Sequence, residues 1–164
     1  MDAPATDAKR DQFAQLYEVH YEPLVRLARL LTTNRADAED LVQTAFVQTY
    51  RRGPLRDPDL AGAYVRRCLI NGARSRWRRE QIAKARLPLI SSTNYSDPDL
   101  TTPIALRHAL AQLPRREREA VALRYYGDMS ESATAAAMGV SVGSVKGYTS
   151  RGLQHLGELL GRTT

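Results

Sequence analysis

Phe13, Leu16, Tyr17, His20, Leu24, Leu27, Ala28 and Leu31 recur three and four residues apart, which predicts one apolar face of a helix across residues 10–31. Pro23 falls inside that stretch and predicts a kink, or the end of one helix and the start of another. In "TTNRADAED", Thr33 or Asn34 can cap a second helix, and Asp37, Glu39 and Asp40 favour its positive end. Its buried face is Ala38, Leu41, Val42, Ala45, Phe46 and Thr49. "GPLRDPD", residues 53–59, breaks the pattern, and a third helix is predicted from about Leu60 to Glu80.

Residues 81–103, "QIAKARLPLISSTNYSDPDLTTP", carry three prolines and no sustained period, so they read as a linker. Beyond them Leu106, Ala109, Leu110 and Leu113 predict a helix stopped by Pro114, and Ala120, Val121 and Leu123 mark the next. Ser130 caps a short helix to Met138, and a last helix is predicted from Val142 to about Leu160. No segment alternates as a strand does. The expected fold is all-α, with two small helical domains, residues 10–80 and 104–162, joined by a flexible linker. Nothing in the linker's composition holds the domains apart, so the free chain is expected to bring them together and cover their working faces.

The 164 residues carry a net charge of +6, and 21 of the 24 basic residues are arginine, which favours a polyanionic partner. The single cysteine, Cys68, excludes an internal disulfide and a cysteine-based zinc site. It is expected to pack as a small hydrophobe. No secretory signal or bilayer-spanning run is legible, so membrane insertion is not expected and the location expected is cytoplasmic. His20, His108 and His155 lie far apart, no glycine-rich phosphate loop is present, and no nucleophile sits in a recognisable setting. Neither catalytic residues nor a metal or other cofactor are expected.

Three stretches carry the functional signal. "SESATAAAMGVSVGSVKGYTSRGLQHLGELL" has the pattern of a helix-turn-helix, with Gly139 at the turn, Val140 plugging the corner and Ser141 as a cap. With Val145, Leu153, Leu156 and Leu160 facing inward, Ser144, Lys146, Gly147, Tyr148, Ser150 and Arg151 lie on the outward arc near the helix start. In this motif that arc meets base edges in the major groove, and small residues let the backbone come close. Tyr148 could instead cover a neighbouring helix.

The second stretch is "YVRRCLINGARSRWRRE", in which Arg67, Asn71, Arg74 and Arg78 form one stripe widened by Arg66, Arg76 and Arg79. Six arginines against one acid in residues 60–80 suit a nucleic-acid backbone, and Asn71 can bond a base edge. Trp77 shares a face with Ile70 and Ala73 and is expected in the core. The third stretch, "AEDLVQTAFVQTYRR", is by itself only an amphipathic helix with Asp40, Gln43 and Tyr50 bordering Phe46.

Taken in order, the three stretches resemble a sigma factor of the sigma-70 family, in its extracytoplasmic-function group, over about residues 10–160. "DAEDLVQTAF" resembles the segment that docks on the clamp helices of the β′ subunit of core RNA polymerase. The resemblance makes Asp40, Leu41, Gln43 and Phe46 the polymerase-binding candidates. "AYVRRCLINGARSRWRR" is similar to the segment that melts and reads the −10 promoter element, which implicates Arg67, Asn71, Arg74, Ser75 and Arg78. Its arginine-rich end is similar to actinobacterial members. The helix-turn-helix domain resembles the part that reads the −35 element, beside the flap of the β subunit. The family further implies that loop 53–59 helps capture a flipped −10 base, and an anti-sigma factor is a further possible partner. Several positions depart from the family pattern: Tyr64, Cys68, Ser75, Thr134, Gly147 and Tyr148. The alternative is a stand-alone helix-turn-helix regulator with an N-terminal dimerisation or sensor domain, which would bind a palindrome as a symmetric dimer.

Overall fold

Capping and burial together set the helices of the computed structural model, which describes residues 3–53, 57–86 and 102–162. The order is α1 (Ala3–Leu31), α2 (Arg35–Arg52), α3 (Pro58–Arg86), α4 (Ile104–Gln112), α5 (Arg115–Tyr125), α6 (Glu131–Met138) and α7 (Val142–Gly161). The described residues contain helices and turns alone. Asn34 caps α2, its side-chain oxygen accepting from the Asp37 N–H at 2.9 Å. Asp57 does the same for α3 through the Asp59 N–H.

The first three helices pack against one another, and the predicted inward set of α2 is the buried set residue for residue. Phe46 is 2% exposed and sits under the rings of Phe13, Tyr17 and Tyr21. The helix α1 starts at Ala3, earlier than expected, and it passes Pro23 without ending, which excludes the second of the two outcomes expected there. The proline and Val19, whose carbonyl it leaves without a helical partner, both lie on the exposed side, where water can replace the missing bond. Val25 and Leu30, outside the predicted stripe, are buried as well. The reason is that α1 is covered twice, by α2 and α3 and again by α4 and α5.

The helix α3 continues to Arg86, so the first six residues of the predicted linker are helical. Gln81, Ala83, Lys84, Ala85 and Arg86 are strong helix formers, and no proline occurs before Pro88. Linker residues 87–101 and loop residues 54–56 lie outside the described residues.

In the second unit α5 is the central helix, burying Ala120 to Leu123 together with Glu117 and Glu119. Ser130 and Ser141 cap α6 and α7 as predicted, and between them Gly139 takes the left-handed conformation, φ 65°, that the turn requires. The inward face of α7 departs from prediction. Leu153 is 41% exposed, and Gly152 is buried in its place. A Cβ at Gly152 would lie 2.7 Å from Val121, so α5 and α7 approach over a position that tolerates no side chain. Buried side chains of the two units merge into one cluster, with α1 against α4 and α5 and α3 against α6.

Candidate nucleic-acid and polymerase interfaces

The start of α7 projects from the helix-turn-helix with few large side chains. Lys146, Ser150 and Arg151 are exposed, Ser144 and Gly147 half-buried. The Ser141 hydroxyl accepts from the Ser144 N–H at 3.1 Å, closing one of the free amides at this helix end. Tyr148 is half-buried, packed against the core on one side, with the Arg151 guanidinium 5.3 Å from its ring centroid. The two cations are engaged with acids of their own unit. Lys146 Nζ lies 3.7 Å from Glu131 on α6, and Arg151 Nε lies 3.4 Å from Glu117 on α5.

The stripe on α3 leaves Arg67, Asn71, Ser75 and Arg78 exposed along a single helix. Arg74 is different: its guanidinium points to Glu119 of α5, with Nη2 3.2 Å from Oε2. Arg115 and Arg116 converge on the same carboxylate at 3.2 and 3.7 Å. Arg115 also stacks over the Trp77 ring, 4.7 Å from its centroid. Burial lowers the Arg115 pKa below the ordinary guanidinium value; Glu119 opposes this, while Arg116, Arg74 and Arg78 add to it. Trp77 therefore stands 38% exposed at the junction of the two units instead of inside the core. The expected covering of the DNA faces holds for Arg74 and not for the rest of the stripe. Arg76 leaves the stripe altogether, turned toward α2 and paired with Asp37, Asp40 and Glu80.

On α2 the four polymerase-binding candidates separate. Leu41 and Phe46 are buried, Phe46 under the aromatic rings of α1 and Leu41 against α3, where its Cδ2 would lie 3.2 Å from a Cβ at Gly72. Asp40 and Gln43 remain on the surface with Val47, forming one polar-edged ridge. A cavity of about 500 Å³ opens beside Gly53 and Pro58, the described ends of loop 53–59, lined also by Phe13, His20, Tyr50 and Asp59.

Sequence reasoning missed Glu117 and Glu119, which are 6% and 4% exposed. The one available signal was their position among the apolar residues of "REREAVAL". Among the described residues no cluster of histidine, cysteine, aspartate and glutamate could hold a metal ion, and no helix is long and apolar enough to cross a membrane.

Comparison with known proteins accounts for both units. The family description Sigma-70 region 2 matches residues 16–82, and Sigma-70, region 4 matches residues 104–156. The chain is 36% identical over 153 residues to an RNA polymerase sigma-E factor of Streptomyces avermitilis, covering 91% of this chain and 85% of the relative. It is 33% identical over 155 residues to the ECF RNA polymerase sigma factor SigM of Mycobacterium tuberculosis, covering 93% of this chain and 79% of the relative. Among solved structures it is similar to the sigma factor RpoE of Bartonella quintana in complex with the anti-sigma factor NepR. That match has a TM-score of 0.71 at 25% identity, covering 90% of this chain and 96% of the other. With both regions in order along one chain, the protein belongs to the sigma-70 family of RNA polymerase sigma factors, in the extracytoplasmic-function group.

Proposed function

We propose a division of labour among three surfaces of this sigma factor. Arg67, Asn71, Ser75 and Arg78 on α3 read and hold the opened −10 element. Asn71 contacts a base, and the arginines contact the backbone. The arc of Ser144, Lys146, Gly147, Ser150 and Arg151 enters the major groove at the −35 element. The ridge of Asp40 and Gln43 docks on the clamp helices of the polymerase β′ subunit. The buried pair Leu41 and Phe46 holds that ridge in place from beneath. In this reading the cavity beside Gly53 and Pro58 receives a flipped −10 base. The protein acts in the cytoplasm as a dissociable specificity subunit without catalysis of its own, and an anti-sigma factor is its natural antagonist.

The observation that carries this reading is the exposure of Arg67, Asn71 and Arg78 along one face of α3, in a chain of this family. Run-off transcription from genomic fragments with core polymerase, with and without the protein, tests it. Promoter-specific transcripts are expected only when the protein is added. The docking ridge has its own test. Asp40 is 71% exposed at the side chain and only 3.8 Å from Arg76, so its loss costs little stability. Asp40→Ala with Gln43→Ala should weaken binding to core at least tenfold with an unchanged melting profile. Unchanged affinity would remove the ridge from the interface.

A further inference from the structure

Arg151 does not extend freely from α7. Helical side chains lean toward the helix N-terminus, and its guanidinium lies back over the preceding turn. A Cβ at Gly147 would stand 3.3 Å from Arg151 Nη1, so the group occupies the space a side chain at position 147 would fill. On its other side Nε faces Oε1 of Glu117 at 3.4 Å. The second oxygen of that carboxylate is taken by His155, whose Nδ1 lies 2.6 Å from Oε2 and donates to it. Arg151 and His155 are one helical turn apart and grip the same buried carboxylate. Gly152 makes this possible, since α5 comes so close there that a Cβ would meet the Glu117 backbone oxygen at 3.2 Å.

Lys146 lacks such a support. Its contact with Glu131 is 3.7 Å, between groups that are 63% and 41% exposed. An exposed pair of that kind is screened and loosely held. Glu117 is 8% exposed at its side chain, fixed from two directions.

We infer that Glu117 is a positioning residue for promoter recognition. It aims the Arg151 guanidinium along the first turns of α7, and the absence of a side chain at Gly147 clears the path. An arginine fixed in this way delivers its fork to the O6 and N7 of a guanine at one orientation, which is the condition for discriminating a single base. The inference rests on the placement of α7 in the −35 major groove given above.

The test uses holoenzyme, full-length protein bound to core, on promoter libraries randomised across the −35 element. Arg151→Ala should relax the preference at one base position by about ten- to a hundredfold. Glu117→Gln, which keeps the shape and removes the charge, should relax the same position, and the double variant should add nothing further. Gly147→Ser should shift preference at that position too, with Glu117 intact. A structural role alone would lower affinity equally at every position and add to the effect of Arg151→Ala, which overturns the inference. Relaxation by Arg151→Ala without any by Glu117→Gln overturns it as well, leaving the placement of α7 standing. If Arg151→Ala changes no position, the placement itself fails and the inference with it.

Discussion

Arg74 of α3 and Glu119 of α5, 45 residues apart in the chain, meet at 3.2 Å and tie the arginine stripe of α3 to the helix-turn-helix unit. Glu119 is 5% exposed at its side chain and surrounded by three arginines, so the carboxylate is the element that allows them to converge. Glu119→Gln leaves those cations facing one another and should cost about 3 kcal/mol of stability in the second unit. The first unit keeps its own packing and gains a free Arg74. Binding of the free protein to single-stranded −10 DNA should therefore strengthen, with a salt dependence steeper by about one unit of slope. Titrations at three salt concentrations check this. An unchanged slope would mean that Arg74 takes no part in holding DNA.

Thr134, in the first helix of the helix-turn-helix, is fully buried and its hydroxyl has no hydrogen-bond partner among the described residues. A buried hydroxyl without a partner carries its desolvation cost uncompensated. Thr134→Val keeps the shape and removes that cost, so it should stabilise the protein by about 1 kcal/mol. Chemical denaturation reads the gain as a higher midpoint at constant slope. Promoter affinity should not move, since the side chain reaches no surface.

These two sites also mark what the sequence could and could not reveal. The inward face of α2 was legible to the residue because apolar and polar positions divide cleanly around that helix. Glu119 was not, because a glutamate is ordinarily solvated and the groups that compensate it come partly from Arg74, far along the chain. The exchange of Leu153 for Gly152 on α7 has a related cause. Periodicity counts side chains, and a glycine that lets two helices touch carries no hydropathy signal. Leu41 and Phe46 were placed among polymerase contacts by motif, whereas burial assigns them to support beneath the ridge. Motifs name the segment that works, and burial sorts which of its side chains reach a partner.

Two glycines of α7 should respond oppositely to alanine. At Gly152 a Cβ would sit 2.7 Å from Val121 Cγ2 and 3.2 Å from a backbone oxygen of α5, neither of which can withdraw cheaply. Gly152→Ala should lower stability by about 1–3 kcal/mol. At Gly147 a Cβ would meet the far end of the long Arg151 side chain at 3.3 Å, a contact that a shift of a few tenths of an ångström relieves, and alanine raises helix propensity by up to about 1 kcal/mol. Gly147→Ala should therefore leave the melting temperature unchanged or higher while promoter binding at the −35 element falls. A loss of stability at Gly147 comparable to that at Gly152 would contradict the packing described for α7.

His20 supplies the pH dependence. Its ring lies against Gly62, where a Cβ would be only 2.9 Å away, and burial lowers its pKa below the ordinary 6.5; Arg66 adds to the shift and Asp59 opposes it. A histidine whose folded pKa is depressed binds its proton more readily when unfolded. Its contribution to stability is thus complete above about pH 6.5 and is lost as the pH falls through the lower folded value. Wild-type protein should lose more stability between pH 7.5 and about pH 5.5 than His20→Gln does, with the two curves parallel above neutrality. Taking the difference between them removes the common contribution of the other histidines. Curves that stay parallel down to the acid end would show that His20 is not held neutral by the contact between α1 and α3.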